Sequence, residues 1–151
     1  MIRDDISRAL VAAMKARETE KTAALRLIQA AIKNRDIEAR TGAAPADDDQ
    51  LVVDVLRKMG KQRRESIEMY DKGGRAELAA AERAELAVIE SFLPAQMDEA
   101  AQAAAIDAIA TELGAAGPKD MGRVMAVLKE RHGAEMDMSR ASALVKARLT
   151  A

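Results

Sequence analysis

Residues 47–74 read DDDQLVVDVLRKMGKQRRESIEMYDKGG. Val52, Val55, Leu56, Met59, Ile67 and Tyr70 recur there mostly at three- and four-residue spacings, which puts them along one side of an α-helix. No part of the stretch sustains the period-two alternation of a half-buried strand. Asp47-Asp48-Asp49 stands where an N-cap and first-turn acids belong, since the positive end of the helix dipole favours carboxylates. Gly73-Gly74 supplies a stop. No further oxygen ligands follow the three aspartates at calcium-loop spacing, so capping is expected of them rather than metal binding.

The same pattern extends in both directions. Upstream, Ile2, Ile6, Leu10 and Met14 lie four apart. Leu25, Ile28, Ile32 and Ala39 stripe a helix from about Thr19 to Thr41, which Gly42-Ala43-Ala44-Pro45-Ala46 breaks. Downstream, a helix from about Arg75 carries Leu78, Glu82, Leu86, Ile89 and Phe92, and Pro94 ends it. Three shorter stripes follow. Ile106, Ile109 and Leu113 precede the Gly114–Pro118 break; Met121, Val124, Met125 and Leu128 run from near Asp120 to Gly133; Met138, Ala141, Leu144, Val145 and Leu149 start near Asp137. The expected fold is all-α. Residues 1–93 form a helical N-terminal domain of about four helices and residues 94–151 a three-helix C-terminal domain, with Leu93-Pro94-Ala95-Gln96 as the linker.

Composition agrees. A chain of 151 residues buries roughly 68–70% of the surface its unfolded form exposes. Of its residues 49% are hydrophobic, yet Tyr70 and Phe92 are the only aromatics, so the core is aliphatic and methionine. The absence of cysteine excludes disulfides and thiolate metal sites. The single histidine, His132, excludes a two-histidine zinc site or paired Glu-x-x-His motifs. No apolar run approaches the ~18 residues of a membrane span. Met1–Arg17 lacks a signal-type apolar stretch, so the cytoplasm is the expected compartment. Basic and acidic residues number 24 and 25; they divide as 17 and 17 before residue 94, and 7 and 8 after it. The net charge of −1 gives no global field toward nucleic acid or membrane, so any such binding needs a local patch.

Enzyme signatures are missing. The sequence has no Gly-x-x-x-x-Gly-Lys, no Gly-x-Gly-x-x-Gly and no Gly-x-Ser-x-Gly. Ser7, Ser66, Ser91, Ser139 and Ser142 have no evident base, because the one histidine, His132, ends a charged helix, where a C-capping role is expected of it. Glu82 and Glu85 share a helix face, and ion pairing near Arg75 and Arg83 is expected of them rather than acid–base chemistry. No catalytic residue, cofactor or metal ligand is therefore expected.

The densest basic run is Arg57-Lys58-Met59-Gly60-Lys61-Gln62-Arg63-Arg64. Arg57, Lys61 and Arg64 share one side of the helix, with Lys58 beside them. Two readings stay open: a solvated face neutralised by Asp54, Glu65 and Glu68, or a contact for RNA phosphates. With almost no aromatics to stack on bases, any RNA binding uses backbone and shape. The last two helices, with Gly133 in their turn, imitate a helix-turn-helix. The final one offers Arg140, Lys146 and Arg148 but few side chains suited to base edges, so no DNA binding is expected.

Several stretches taken in order resemble the GatB/YqeY domain family. They are Arg26-Leu27-Ile28-Gln29-Ala30-Ala31-Ile32-Lys33; Lys61-Gln62-Arg63-Arg64-Glu65-Ser66-Ile67 leading to Tyr70; Arg75-x-x-Leu78; Glu82-x-x-Glu85-Leu86; Phe92-Leu93-Pro94-x-Gln96; Met121-Gly122-x-Val124-Met125; and Ser142-x-x-Val145-Lys146-x-x-Leu149. The resemblance spans nearly the whole chain. It departs at Gly133-Ala134-Glu135-Met136-Asp137, where an Ala-Asp-Gly-like turn is expected. It implies a helical N-terminal domain joined to a three-helix C-terminal one. A similar unit forms the tail of the B subunit of the tRNA-dependent amidotransferase and is appended to some glutaminyl-tRNA synthetases, where it helps hold tRNA while chemistry happens elsewhere. The function so implied is an accessory tRNA-binding or amidotransferase-associated module, with tRNA, the amidotransferase or an aminoacyl-tRNA synthetase as partners. It adds Lys119, Arg123, Lys146 and Arg148 to the candidate contacts Arg57, Lys58, Lys61 and Arg64. The alternatives are a helical protein adaptor using a groove between the two parts, and a carbon–nitrogen ligase with glutamine as amido donor, which the missing nucleotide-binding motif disfavours. Within the shared residues, Gly122 suits close approach of a backbone or of an anion at a helix N-terminus, and Met121 and Met125 suit the core.

Overall fold

A computed structural model describes residues 1–45 and 47–150; Ala46, the end of the expected 42–46 break, and Ala151 lie outside the described residues. Among the described residues seven α-helices follow one another: α1 (Ile2–Lys15), α2 (Thr19–Ala39), α3 (Asp48–Lys72), α4 (Ala76–Ser91), α5 (Glu99–Leu113), α6 (Met121–His132) and α7 (Met138–Thr150). A 3-10 turn, Pro118–Asp120, leads into α6. Among the described residues there is no strand, and the fold is all-α as the stripes predict. The chain divides into two compact units, residues 1–93 and 94–151.

In the first unit, α1 to α4 run up, down, up and down. The Gln29 amide of α2 lies 3.4 Å from the Ser7 hydroxyl of α1, and Arg83 of α4 pairs with Asp71 of α3. Ile6, Leu25, Ile28, Ile32, Val52, Val55, Leu56, Met59 and Ile89 form the buried cluster. Two expected core positions turn outward. Met14 is 50% exposed and Leu78 38% exposed, while the adjacent Ala13 and Ala79 are buried. The helices roll toward the alanines because a small side chain lets two backbones approach more closely. Gly74, at φ +70°, takes the left-handed turn after α3, and Gly114, at φ +62°, does the same after α5.

The three aspartates are consumed structurally. The Asp47 carboxylate accepts the Asp49 N–H at 3.2 Å and caps α3. Asp49 accepts the Ile2 N–H at 3.0 Å. The Arg3 guanidinium donates to Asp36 at 2.8 and 2.9 Å and to Asp48 at 2.8 and 3.1 Å. One arginine thus ties the start of α1 to the end of α2 and the start of α3. Hydrogen bonding from Arg3 holds the Asp36 carboxyl below its ordinary range, and Asp36 and then Asp48 hold the guanidinium above its own. A carboxylate with a lowered folded-state pKa contributes stability above its ordinary pKa and loses it as the pH falls through the lowered value. Arg3→Met should therefore lower the thermal midpoint at neutral pH and shrink the difference between neutral and strongly acidic midpoints. An unchanged difference in a pH series of melts would show that the clasp contributes nothing.

In the second unit, Ile106, Ile109, Ala110, Val124, Leu128, Met136, Ala141, Val145 and Leu149 form the core. Asp98 caps α5 by accepting the Ala101 N–H at 2.7 Å, and Asp137 accepts the Ser139 N–H at 2.9 Å before α7. α7 runs parallel to α5: Arg148 meets Asp107 at 2.7 Å, and Arg140, Ala143 and Leu144 line a groove with Asp98, Glu99 and Gln102. The turn that departs from the family pattern is an anchor here. Met136 is fully buried, the Met97 N–H donates to the Glu135 carbonyl at 2.8 Å, and His132 Nδ1 lies 3.2 Å from the Glu135 carboxylate. Met121 and Met125 pack against the core. A methyl added at Gly122 would meet nothing within 4 Å, so no neighbouring backbone approaches there.

Candidate nucleic-acid interface

The basic run lies on α3, whose opposite side supplies Val52, Val55, Leu56 and Met59 to the core. Arg63 is turned toward α4, its Nε 2.7 Å from Glu85 and 3.4 Å from Glu82. Glu82 and Glu85 are therefore the counter-ions of Arg63, not of Arg75 or Arg83. Arg64 pairs with Glu90 at 3.6 Å. Its guanidinium lies over Gly60, where a methyl would come 3.5 Å from it and 3.6 Å from Leu86. Neutralisation comes from α4 rather than from Asp54 and Glu68, which Gln50 and Lys72 engage. Of the four residues proposed here, Arg57 is half-buried and Arg64 is paired. Lys58 and Lys61 are exposed and have no ion pair among the described residues.

The second set divides the same way. Arg123 pairs with Asp120 at 2.7 Å. Asp120 is buried and also accepts the Ala116 N–H at 3.0 Å; that backbone bond, then Arg123, holds its carboxyl below the ordinary range. Arg148 is taken by Asp107. Lys119 and Lys146 are exposed and without ion pairs among the described residues. On α7, Ala141, Val145 and Leu149 face the core. Lys146 and Arg148, two residues apart and so about 200° apart around the helix, flank that stripe on opposite sides. The four cations do not make one patch.

Scanning for cation density misses a third group. Arg26, Lys33 and Arg40 recur at seven-residue intervals along α2 and its C-terminal cap, all exposed and without a close ion pair among the described residues, although Arg40 lies near enough to Asp36 to help hold that carboxyl below its ordinary range. Among the described residues no cluster of three or more His, Asp or Glu side chains is placed to hold a metal ion. Among the described residues no helix is long and apolar enough to cross a membrane.

Comparison with known proteins adds two findings. A family model described as Yqey-like protein matches residues 3–149. The protein called Altered inheritance of mitochondria protein 41, mitochondrial, from Eremothecium gossypii, is 36% identical over 103 residues, which are 67% of this chain and 55% of that protein. The chain thus spans about half the length of that relative.

Proposed function

The chain belongs to the YqeY-like protein family, and from that membership we propose that it is an accessory module that holds tRNA in the service of a tRNA-dependent amidotransferase or an aminoacyl-tRNA synthetase, with no catalysis of its own. We place it in the cytoplasm. The supporting observation is the sorting of its cations. Arg63, Arg64, Arg123 and Arg148 are held by carboxylates, while Lys58, Lys61, Lys119 and Lys146 stand exposed on helices and a turn that those pairs help to fix. Lysines held this way offer point charges to a phosphate backbone without reading bases.

The test is tRNA binding across a salt series. About three phosphate contacts give a log–log slope of roughly −2 to −3. Lys58→Glu with Lys61→Glu, and separately Lys119→Glu with Lys146→Glu, should each weaken binding and flatten the slope. If no binding appears even at low salt, the tRNA reading is wrong. The protein-adaptor reading would then take its place, with one observation behind it: a groove of about 580 Å³ within the first unit, between α2 and α4, lined by Ala23, Ala24, Ala80, Ala81 and Ala84 rather than lying between the two parts.

A further inference from the structure

Positive charge is concentrated in the hairpin of α1 and α2. Residues 1–40 hold nine Lys and Arg against six Asp and Glu; the remaining residues hold fifteen against nineteen. The net charge of −1 therefore conceals a local excess of three positive charges, in a different place from the dense run on α3.

Leu25, Ile28 and Ile32 turn α2 toward the core. Arg26, Lys33 and Arg40 then fall on the outer flank that borders α1. Two contacts fix that side: Arg26 reaches the Met14 sulfur at 4.0 Å, and Gln29 reaches Ser7. Successive cations are about 10.5 Å apart along the axis and the stripe about 21 Å long. Midway along it, α1 and α2 enclose a groove of about 280 Å³. Ile6 and Ile32 form its floor and Ser7, Gln29 and Lys33 its walls, and the Arg3–Asp36 pair closes one end. A hydroxyl, an amide and an ammonium free of any ion pair together offer hydrogen bonds to an oxyanion. Arg3, already occupied by two carboxylates, positions the groove rather than binding in it.

We propose that this groove holds a phosphate of an RNA backbone, with Arg26 and Arg40 neutralising phosphates to either side along α2. The assignment rests on the tRNA reading above and moves its principal contact from α3 to α2. The length of the stripe selects an extended polyanion over a free phosphate, because a single phosphate reaches one cation of the three. The pairing of neutral donors, Ser7 and Gln29, with Lys33 in an open groove along that line of cations suits the sugar and phosphate oxygens of a strand, while exposed Met14 and Ile37 nearby make lipid the competing outcome.

The experiment uses the full chain and tRNA in a salt series. Lys33→Gln with Arg40→Gln should weaken binding about tenfold at low salt and make the log–log slope less negative by roughly 1.4–1.8. Gln29→Ala removes a neutral donor, so it should weaken binding about fivefold and leave the slope unchanged. Lys33→Arg should retain both. Urea midpoints of these surface variants check that the fold is intact. If wild type binds tRNA and the α2 variants match it in affinity and slope, the groove assignment is overturned while the tRNA reading survives on the other lysines. If wild type binds no tRNA, both fall. If the α2 variants lose binding only to phosphatidylcholine–phosphatidylserine vesicles, the site is a lipid contact and the proposal is wrong.

Discussion

Leu56→Ala should unfold the first unit at temperatures that the wild type withstands. Leu56 is fully buried on α3 and belongs to the cluster that gathers side chains of α1, α2, α3 and α4. Truncating such a leucine removes its transfer free energy and leaves a cavity that its neighbours fill only in part, at a cost of about 2–5 kcal/mol. For a unit of this size each kcal/mol moves the melting point by roughly 4–8 °C, so a fall of more than about 10 °C is expected. Leu78→Ala, at a position that the spacing rule also assigns to the core, should cost under about 0.5 kcal/mol because the side chain is partly in solvent. Melting curves followed by far-ultraviolet circular dichroism separate the two. Equal shifts would mean that the packing described for α3 and α4 is wrong.

Leu128→Ala should cost the second unit its order altogether while the first keeps its own. Residues 94–151 form a small core around Leu128, Val124 and Val145. A domain of this size rarely commands more than about 3–5 kcal/mol, which one large-to-small change in its centre removes. Residues 1–93 expressed alone should accordingly unfold cooperatively, and residues 94–151 alone should be marginal. Hydrogen exchange on full-length Leu128→Ala reads both units at once. Protection that persists in α5, α6 and α7, or an N-terminal fragment that is unfolded beside a cooperative C-terminal one, would contradict this division.

Helix number and approximate bounds were legible because the three-and-four spacing is strong and the breaks carry Gly or Pro at the right places. Which residue of an adjacent pair faces inward was less legible. Hydrophobic size favours Met14 over Ala13 and Leu78 over Ala79, whereas close packing favours the smaller one. Partners distant in sequence were not legible at all. Nothing near Arg3 announces Asp36 or Asp48, 33 and 45 residues away. Nothing near Arg63 announces Glu85, 22 residues on. This is also why the candidate site read only partly. A count of cations finds the α3 run, but whether each cation is available depends on carboxylates that the fold delivers. The seven-residue period of Arg26, Lys33 and Arg40 was present in the sequence, spread too thinly to register as a run.

The up-and-down order of α1 to α4 has a kinetic consequence. The buried cluster of the first unit lies within residues 1–93, and its longest polar link among the described residues, Ile2 to Asp49, spans 47 residues. The second unit asks for 41 between Asp107 and Arg148. Short separations keep loop-closure entropy low and place such helical topologies among fast folders, on a scale of about microseconds to milliseconds. A ribosome adds only about 5–20 residues per second. During synthesis the first unit therefore has time to search, close and bury its core long before α7 exists, and folding proceeds in the direction of translation.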